Sequence, residues 1–311
     1  CRSAGRSSRC DFISLRRKKS HMKSFLVAGG DLRSVYLARK LAEKNKVYAL
    51  GFDKNMIPDS PVMTVDSLVS LHSRPDCIVL PIPVSNDGVM VNCPYGRNSI
   101  PLSGLVTAVK ENGTVFGGKI SESVRSMYES AGLTVIDYLD REELSVMNAV
   151  PTAEGAVQIA MEELAETIFG QEILITGMGR ISKVLIRILT GMGAHVTVTA
   201  RKYSDLAWAE IFGCRAVHIA KTDSLLPQFS IVFNTVPAMI FDEKRLGMLK
   251  SGCLLIDLAS KPGGVDFDAA GRSGVKTIWA LSLPGKTAPV TSGEMIASAI
   301  NNILEERGEN S

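Results

Sequence analysis

The sequence predicts an α/β protein built from two Rossmann-like, doubly wound parallel-sheet domains with a cleft between them. Three observations carry this. Apolar strand-like runs alternate with amphipathic helical runs from Met22 onward. A strand–glycine-turn–helix opening occurs twice, at "SFLVAGGDLR" and at "EILITGMGRIS". Between them, "PTAEGAVQIAMEELAETIFG" (151–170) reads as one long helix, with Pro151 early, Thr152 as a cap and Gly170 as the stop.

In the first half, "SFLVAGG", "KVYALGFD", "CIVLPIP", "TVFGG" and "LTVIDYL" read as strands, and "LRSVYLARKLAEKN", 101–110 and 121–131 as helices. In the second half, strands are expected near 171–176, 194–199, 215–218, 230–234, 253–257 and 275–279. A last helix, about 289–306, follows once that set is complete. This gives a substrate or catalytic domain over 22–150, with the terminal segment 288–311 packing back on it. The cofactor domain covers 151–287, including the connector helix.

At 311 residues the chain is long enough for two cores. Its net charge of +3 is misleading. Residues 1–21 hold seven Arg or Lys and one acid, leaving 28 basic against 31 acidic residues in the body. The body therefore has no nucleic-acid footprint, and no apolar run is long enough to span a membrane. The basic leader is open to three readings: a transit-like targeting peptide, a nucleic-acid arm, or a vector-derived or upstream-translated segment. The Ser20-His21-Met22 junction favours the last, and the leader is expected to be disordered. Six cysteines show no C-x-x-C spacing, so reduced thiols in a cytoplasmic protein are expected, with no metal site.

The second glycine turn has the makings of a cofactor site. Gly177 permits the tight turn, and Gly179 lets backbone approach a pyrophosphate. The helix starting near Arg180 then aims its N–H groups at the phosphates, with Met178 and Ile181 completing the loop. Ser182 stands where a third glycine is usual. The next strand ends in Arg201 and Lys202 instead of the acid that would hold an NAD ribose. With Ser204 they suit a 2′-phosphate, so NADP is the expected cofactor. Asn234, Thr235, Val236 and Pro237 follow one strand and Ala259, Ser260 and Lys261 another, where ligands of open sheets bind. Pro284 and Pro289 shape a rigid turn near the nicotinamide end, where Lys286 is most simply a solvated loop residue. His195 and His218 read as structural.

The first glycine turn differs. Asp31 and Arg33 occupy space that a pyrophosphate would need, although Asp53 follows the second strand as in a dinucleotide site. A small anion held by Arg33 and the helix N-terminus fits better. Arg97, Asn98, Ser99, Lys119, Asn148, Thr152 and Glu154 fall at expected strand ends or at the entry to the connector, around the cleft. Taken singly, each is also ordinary surface polarity or capping.

Read in order, "GGDLR", "GRNSIPL", "YLDREELSVMNAVPTAEGA", "ITGMGRIS", "VTARK", "NTVPAMI", "LIDLASKPGGVDF" and "LSLPGKTAPVTSGEMI" resemble the family of the first subunit of dipicolinate synthase over nearly all of 22–306. The resemblance implies NADP-dependent oxidation of (hydroxy)dihydrodipicolinate to dipicolinate in the mother cell of a sporulating bacterium. As partner it implies the flavoprotein-like second subunit of dipicolinate synthase. It also implies lobes arranged as in D-2-hydroxyacid, alanine and methylenetetrahydrofolate dehydrogenases. A homo-oligomer is expected. A flat dicarboxylate needs two anchors. Arg97 is the first choice and Arg33 the second, with Asn98, Ser99, Asn148 and Thr152 around them. Lys119 or Glu154 is the candidate base. Two other readings stay open: a two-lobe dehydrogenase of a hydroxy acid, amino acid or folate, and a non-catalytic NADP-binding scaffold for the second subunit.

Overall fold

The computed structural model describes residues 22–58, 60–96 and 98–309. The basic leader and Arg97 lie outside the described residues. In the first lobe, strands β1 (Ser24–Ala28), β2 (Lys46–Leu50), β3 (Met63–Val65), β4 (Cys77–Val79), β5 (Thr114–Gly117) and β6 (Thr134–Asp137) form one sheet in the order β3-β2-β1-β4-β5-β6. Every pairing is parallel. Helices α1 (Leu32–Ala42), α2 (Leu102–Val106) and α3 (Glu122–Glu129) cover it, and α4 (Glu142–Glu163) leaves it.

The second lobe repeats this order. Strands β7 (Glu172–Thr176), β8 (His195–Ala200), β9 (Arg215–His218), β10 (Ile231–Asn234), β11 (Leu254–Asp257) and β12 (Lys276–Trp279) pair as β12-β11-β10-β7-β8-β9, again all parallel. Its helices are α5 (Arg180–Gly191), α6 (Tyr203–Ile211), α7 (Glu243–Leu246) and α8 (Phe267–Ser273). Then come α9 (Leu283–Thr287) and α10 (Pro289–Glu306).

The continuous apolar strands are explained by cover on both faces. Alternate residues of β1 enter different cores. Phe25 and Val27 face α1 and α10, whereas Leu26 and Ala28 face α2 and α3. Ile296, Ile300, Ile303 and Leu304 of α10 belong to the first core although they come last in the chain. Each such side chain contributes about 1.5–3 kcal/mol on burial. Gly293 allows the approach, since a Cβ there would strike Arg33 O and lie 2.9 Å from Leu37 N.

The connector differs from the helix expected at 151–170. It starts nine residues earlier and ends at Glu163, with buried Pro151 in its interior. Thr152 is therefore no cap; its hydroxyl donates to Asn148 O, 2.8 Å away. Glu142 and Glu143 favour a start at 142 by facing the positive end of the helix. Arg141 pins that end by pairing with Glu143 and, bidentately, with Glu306 of α10. At the other end Ile168 turns into the second core. Gly170, at φ +76°, donates its N–H to Gly193 O in a loop instead of stopping the helix. Leu144 lies in the first core, and Ala153, Ala156, Val157 and Ala160 lie in the second. The chain thus passes between lobes twice, along α4 and again at α9–α10.

Candidate active site

The turn after β7 accepts only glycine. Gly177 has φ +89°, and a Cβ there would lie 2.8 Å from Thr235 Oγ1 and 2.9 Å from Val236 Cγ2. Gly179 opens onto empty space and precedes the twelve-residue α5, whose N-terminus no side chain caps. Free N–H groups, the positive helix end and an open approach fit a dinucleotide pyrophosphate. Met178 is buried, Ile181 is half-buried, and Arg180 is exposed with Glu142 of α4 at 2.7 Å.

Ser182 does more than fit. It is fully buried, with Oγ 2.9 Å from Thr235 Oγ1. The Thr235 hydroxyl donates to Thr176 O, so Ser182 is the donor to Thr235. This ties the phosphate-facing helix to the loop after β10.

At the adenosine side, Arg201, Lys202 and Ser204 are exposed at the start of α6. Tyr203 beside them is 79% exposed and stacks on His218, with ring centroids 5.6 Å apart. His218 Nδ1 accepts from Ala220 N, and His195 opens β8 at the opposite edge of the sheet. At the nicotinamide side, Thr235 and Val236 are half-buried, while Pro237, Ser260 and Lys261 are exposed. Ala259 and Pro284 are buried, and Pro289 is the first residue of α10. Asn234 departs from the expectation. It is 0% exposed, and its amide bonds Thr176, Asp257 and Val236, so it offers nothing to a ligand.

The first lobe's glycine turn is filled by its own chain. A Cβ on Gly29 would lie 2.7 Å from Val91 Cγ1, and one on Gly30 would lie 3.0 Å from Pro81 Cβ. Asp31 caps α1 by accepting from Arg33 N at 3.0 Å. It also takes the Arg33 guanidinium, with Nη2 at 2.8 Å, while a second Nη2 bond reaches Ile82 O. Arg33 is 8% exposed, and Gly285 packs on the pair. The expectation that Arg33 and the helix N-terminus anchor a carboxylate is therefore corrected. Asp31 supplies the negative charge that both would otherwise seek, and the pair braces the second passage between lobes.

Asn98 and Ser99 line a cavity of about 730 Å³ with Leu50, Asp53, Ser67 and Ile100. Lys119 is exposed two residues beyond β5, in the left-handed region at φ +59°, a conformation rare for a residue with a Cβ. Gly118 before it presses on Tyr138, and Asp137 accepts from Ile120 N after it. The connector residues separate by face. Glu154 is exposed on the stripe of Met147, Gln158 and Met161, as Lys119 is exposed beyond β5. Asn148 and Thr152 lie half-buried on the stripe that continues to Gly155, where α9 closes in with Leu283. Thr152 has committed its proton to Asn148 O within the helix, whereas the Asn148 contact is made by its backbone carbonyl.

The four described cysteines are free thiols. Burial pushes Cys77 and Cys253 up to about 12, which removes them as nucleophiles near neutrality. Asp257 was not among the residues expected at the site. An acid ending the apolar run "LLID" was the available signal, since such a residue persists only when its bonds are satisfied.

Two parallel sheets, an open glycine cradle and an uncapped phosphate-facing helix define a two-lobe nicotinamide-dinucleotide protein of the dehydrogenase type. Residues 144–266 match the NAD-binding domain of the D-isomer specific 2-hydroxyacid dehydrogenases. Residues 24–139 match the N-terminal domain of the first subunit of dipicolinate synthase. The chain is 28% identical over 292 residues to the corresponding dipicolinate synthase subunit of Bacillus subtilis (strain 168), covering 90% of this chain and 95% of that one. The solved structure of the same subunit from Bacillus halodurans superposes with a TM-score of 0.83 at 29% identity, covering 91% of this chain and 97% of that one. The transhydrogenase of Sinorhizobium meliloti shares the fold alone, with a TM-score of 0.69 at 17% identity over 91% of this chain and 94% of that one. The chain is thus similar to the first subunit of dipicolinate synthase over nearly all of its described length, and the resemblance read from its motifs is borne out.

Proposed function

We propose that the protein oxidises (hydroxy)dihydrodipicolinate to dipicolinate with NADP during sporulation, acting with the second, flavoprotein-like subunit of dipicolinate synthase. The carrying observation is the relationship to the first dipicolinate synthase subunit along nearly the whole described chain, joined to an open dinucleotide cradle. Residues 22–150 with α10 form the substrate domain in this reading, and 151–287 the cofactor domain. The choice of NADP rests on Arg201, Lys202 and Ser204, three exposed residues with no acid among them.

Once the hydroxy form has lost water, bound NADP⁺ would supply the hydride acceptor, so that the two-electron oxidation gives dipicolinate, NADPH and a proton. The residues of the chain do the rest. Gly177, Gly179 and the first turn of α5 hold the pyrophosphate. Thr235, Val236, Ala259 and Ser260 border the nicotinamide half. Arg97, Asn98 and Ser99 would receive the carboxylates, and a neutral Lys119 amine or the Glu154 carboxylate would accept the ring proton. Aromatisation of the ring drives the reaction, so positioning is the main demand on the protein.

The test is direct. Purified protein is incubated with freshly made product of the dihydrodipicolinate synthase reaction and NADP⁺, with and without the second subunit, following absorbance of dipicolinate and NADPH. Stoichiometric formation of both supports the reading. No product when both subunits are present, or turnover of hydroxy acids instead, overturns it.

A further inference from the structure

We infer that Asn234 and Asp257 are positioning residues for the nicotinamide half of the cofactor, acting by holding the loops after β10 and β11 in one shape. The inference rests on reading the second lobe as a nicotinamide-dinucleotide site.

Both side chains are 0% exposed at the carboxyl ends of adjacent strands. Asn234 Nδ2 donates to Asp257 Oδ1 at 2.7 Å and to Val236 O at 3.1 Å. Its Oδ1 accepts from Thr176 Oγ1 and from Val236 N at 3.2 Å. Both donors and both lone pairs of the amide are thus used, and a flipped amide would oppose N–H to N–H. Asp257 Oδ1 also accepts from Ala259 N at 3.0 Å, and Oδ2 from Gly264 N at 2.9 Å.

The backbone partners of the pair point to its role. They are Val236, Ala259 and Gly264, all in the two loops that border the cleft. Gly264 lets these loops touch, since a Cβ there would lie 2.6 Å from Val236 O and 2.9 Å from Ala238 O. Trp279 extends the brace, donating Nε1 to Ala259 O at 3.0 Å. A hydrophobic pair would fill these strand ends without the cost of burying polar groups, but would leave the loop N–H groups unheld.

The effect has a direction along the cofactor. In the order β12-β11-β10-β7-β8-β9, the braced loops lie on one side of the crossing between β10 and β7, and Arg201 and Lys202 on the other. A dinucleotide straddling that point lays its adenosine over β8 and its nicotinamide over β10 and β11.

Asn234→Asp and Asp257→Asn preserve size while breaking the donor–acceptor match, and Thr176→Val is a milder version. Trp208→Phe leaves Trp279 as the single tryptophan reporting on the 259–264 loop. Each protein is titrated calorimetrically with NADPH, NADH, 2′,5′-ADP and 5′-AMP. The expected result is a loss of about tenfold or more for the dinucleotide, a change within about twofold for the adenosine fragments, and an altered Trp279 emission. Equal losses for fragments and dinucleotides, or unchanged dinucleotide affinity, overturn the inference. If the parent protein binds neither dinucleotide, the reading of the lobe fails first, and the inference with it.

Discussion

Arg201 and Lys202 follow β8 at the position where the charge of one residue selects a ribose or a phosphate. Both are exposed, and neither takes part in a salt bridge among the described residues. Losing a charge-assisted hydrogen bond costs about 1.5–3 kcal/mol, or roughly 10- to 150-fold in affinity. Arg201→Asp is therefore expected to raise the KM for NADP⁺ by at least about tenfold and to leave or lower that for NAD⁺, measured by steady-state kinetics. Asp76 serves stability instead. It accepts from Ser24 N at 2.8 Å, Ser24 Oγ at 2.6 Å and Lys110 Nζ at 2.6 Å, joining the starts of β1 and β4. Partial burial pushes its carboxyl up, but these bonds outweigh it and hold it below the usual range. A depressed folded value stabilises above the unfolded pKa and is lost as pH falls through the folded one. Asp76→Asn should thus cost about 1–2 kcal/mol at neutral pH, with the gap closing below about pH 4 in urea titrations.

Among the elements, the β7–α5 turn tolerates little change. Gly177→Ala places a methyl against Thr235 and Val236 in a left-handed backbone. Cofactor affinity is expected to fall by about tenfold or more while the melting temperature drops by only a few degrees, compared by calorimetry. Helix α10 shows the opposite dependence. Ile300→Ala should cost about 2–5 kcal/mol in unfolding free energy, because the site lies between α1 and the first sheet. Strand positions were legible because each is a short apolar run with turn residues on both sides. The connector was misread because Pro151 looks like a start signal, and local signals do not show that a helix can continue through a proline. The three-residue β3 was missed, being too short for any period to show.

At the scale of the whole molecule, the two lobes are joined along α4 and α9–α10, and the first core is incomplete without the last helix. Deleting residues 289–311 should leave Phe25, Val27 and Leu37 uncovered. The truncated chain is expected to lose cooperative unfolding of the first lobe by calorimetry and to aggregate. Arg33→Lys should loosen the brace under Gly285, seen as faster proteolysis at 281–288.

The fold class, the glycine turn after β7 and the resemblance to the first dipicolinate synthase subunit were all present in the chain as written. They depend on signals that act over a few neighbouring residues: strand period, glycine at a forced turn, and charge at a strand end. The duties of Arg33, Asn234 and Thr152 were not present in that form. Each is a polar residue near a strand end or on a helix, and each suits a ligand on chemistry alone. What assigns them is whether another part of the chain takes their hydrogen bonds first. Asp31 takes Arg33, Asp257 takes Asn234, and the helix takes Thr152. Such competition between protein and ligand for the same donors is settled by the folded backbone, which brings Asp31 onto Arg33 and Asn148 O onto Thr152 from a few residues away and Asp257 onto Asn234 from a neighbouring strand.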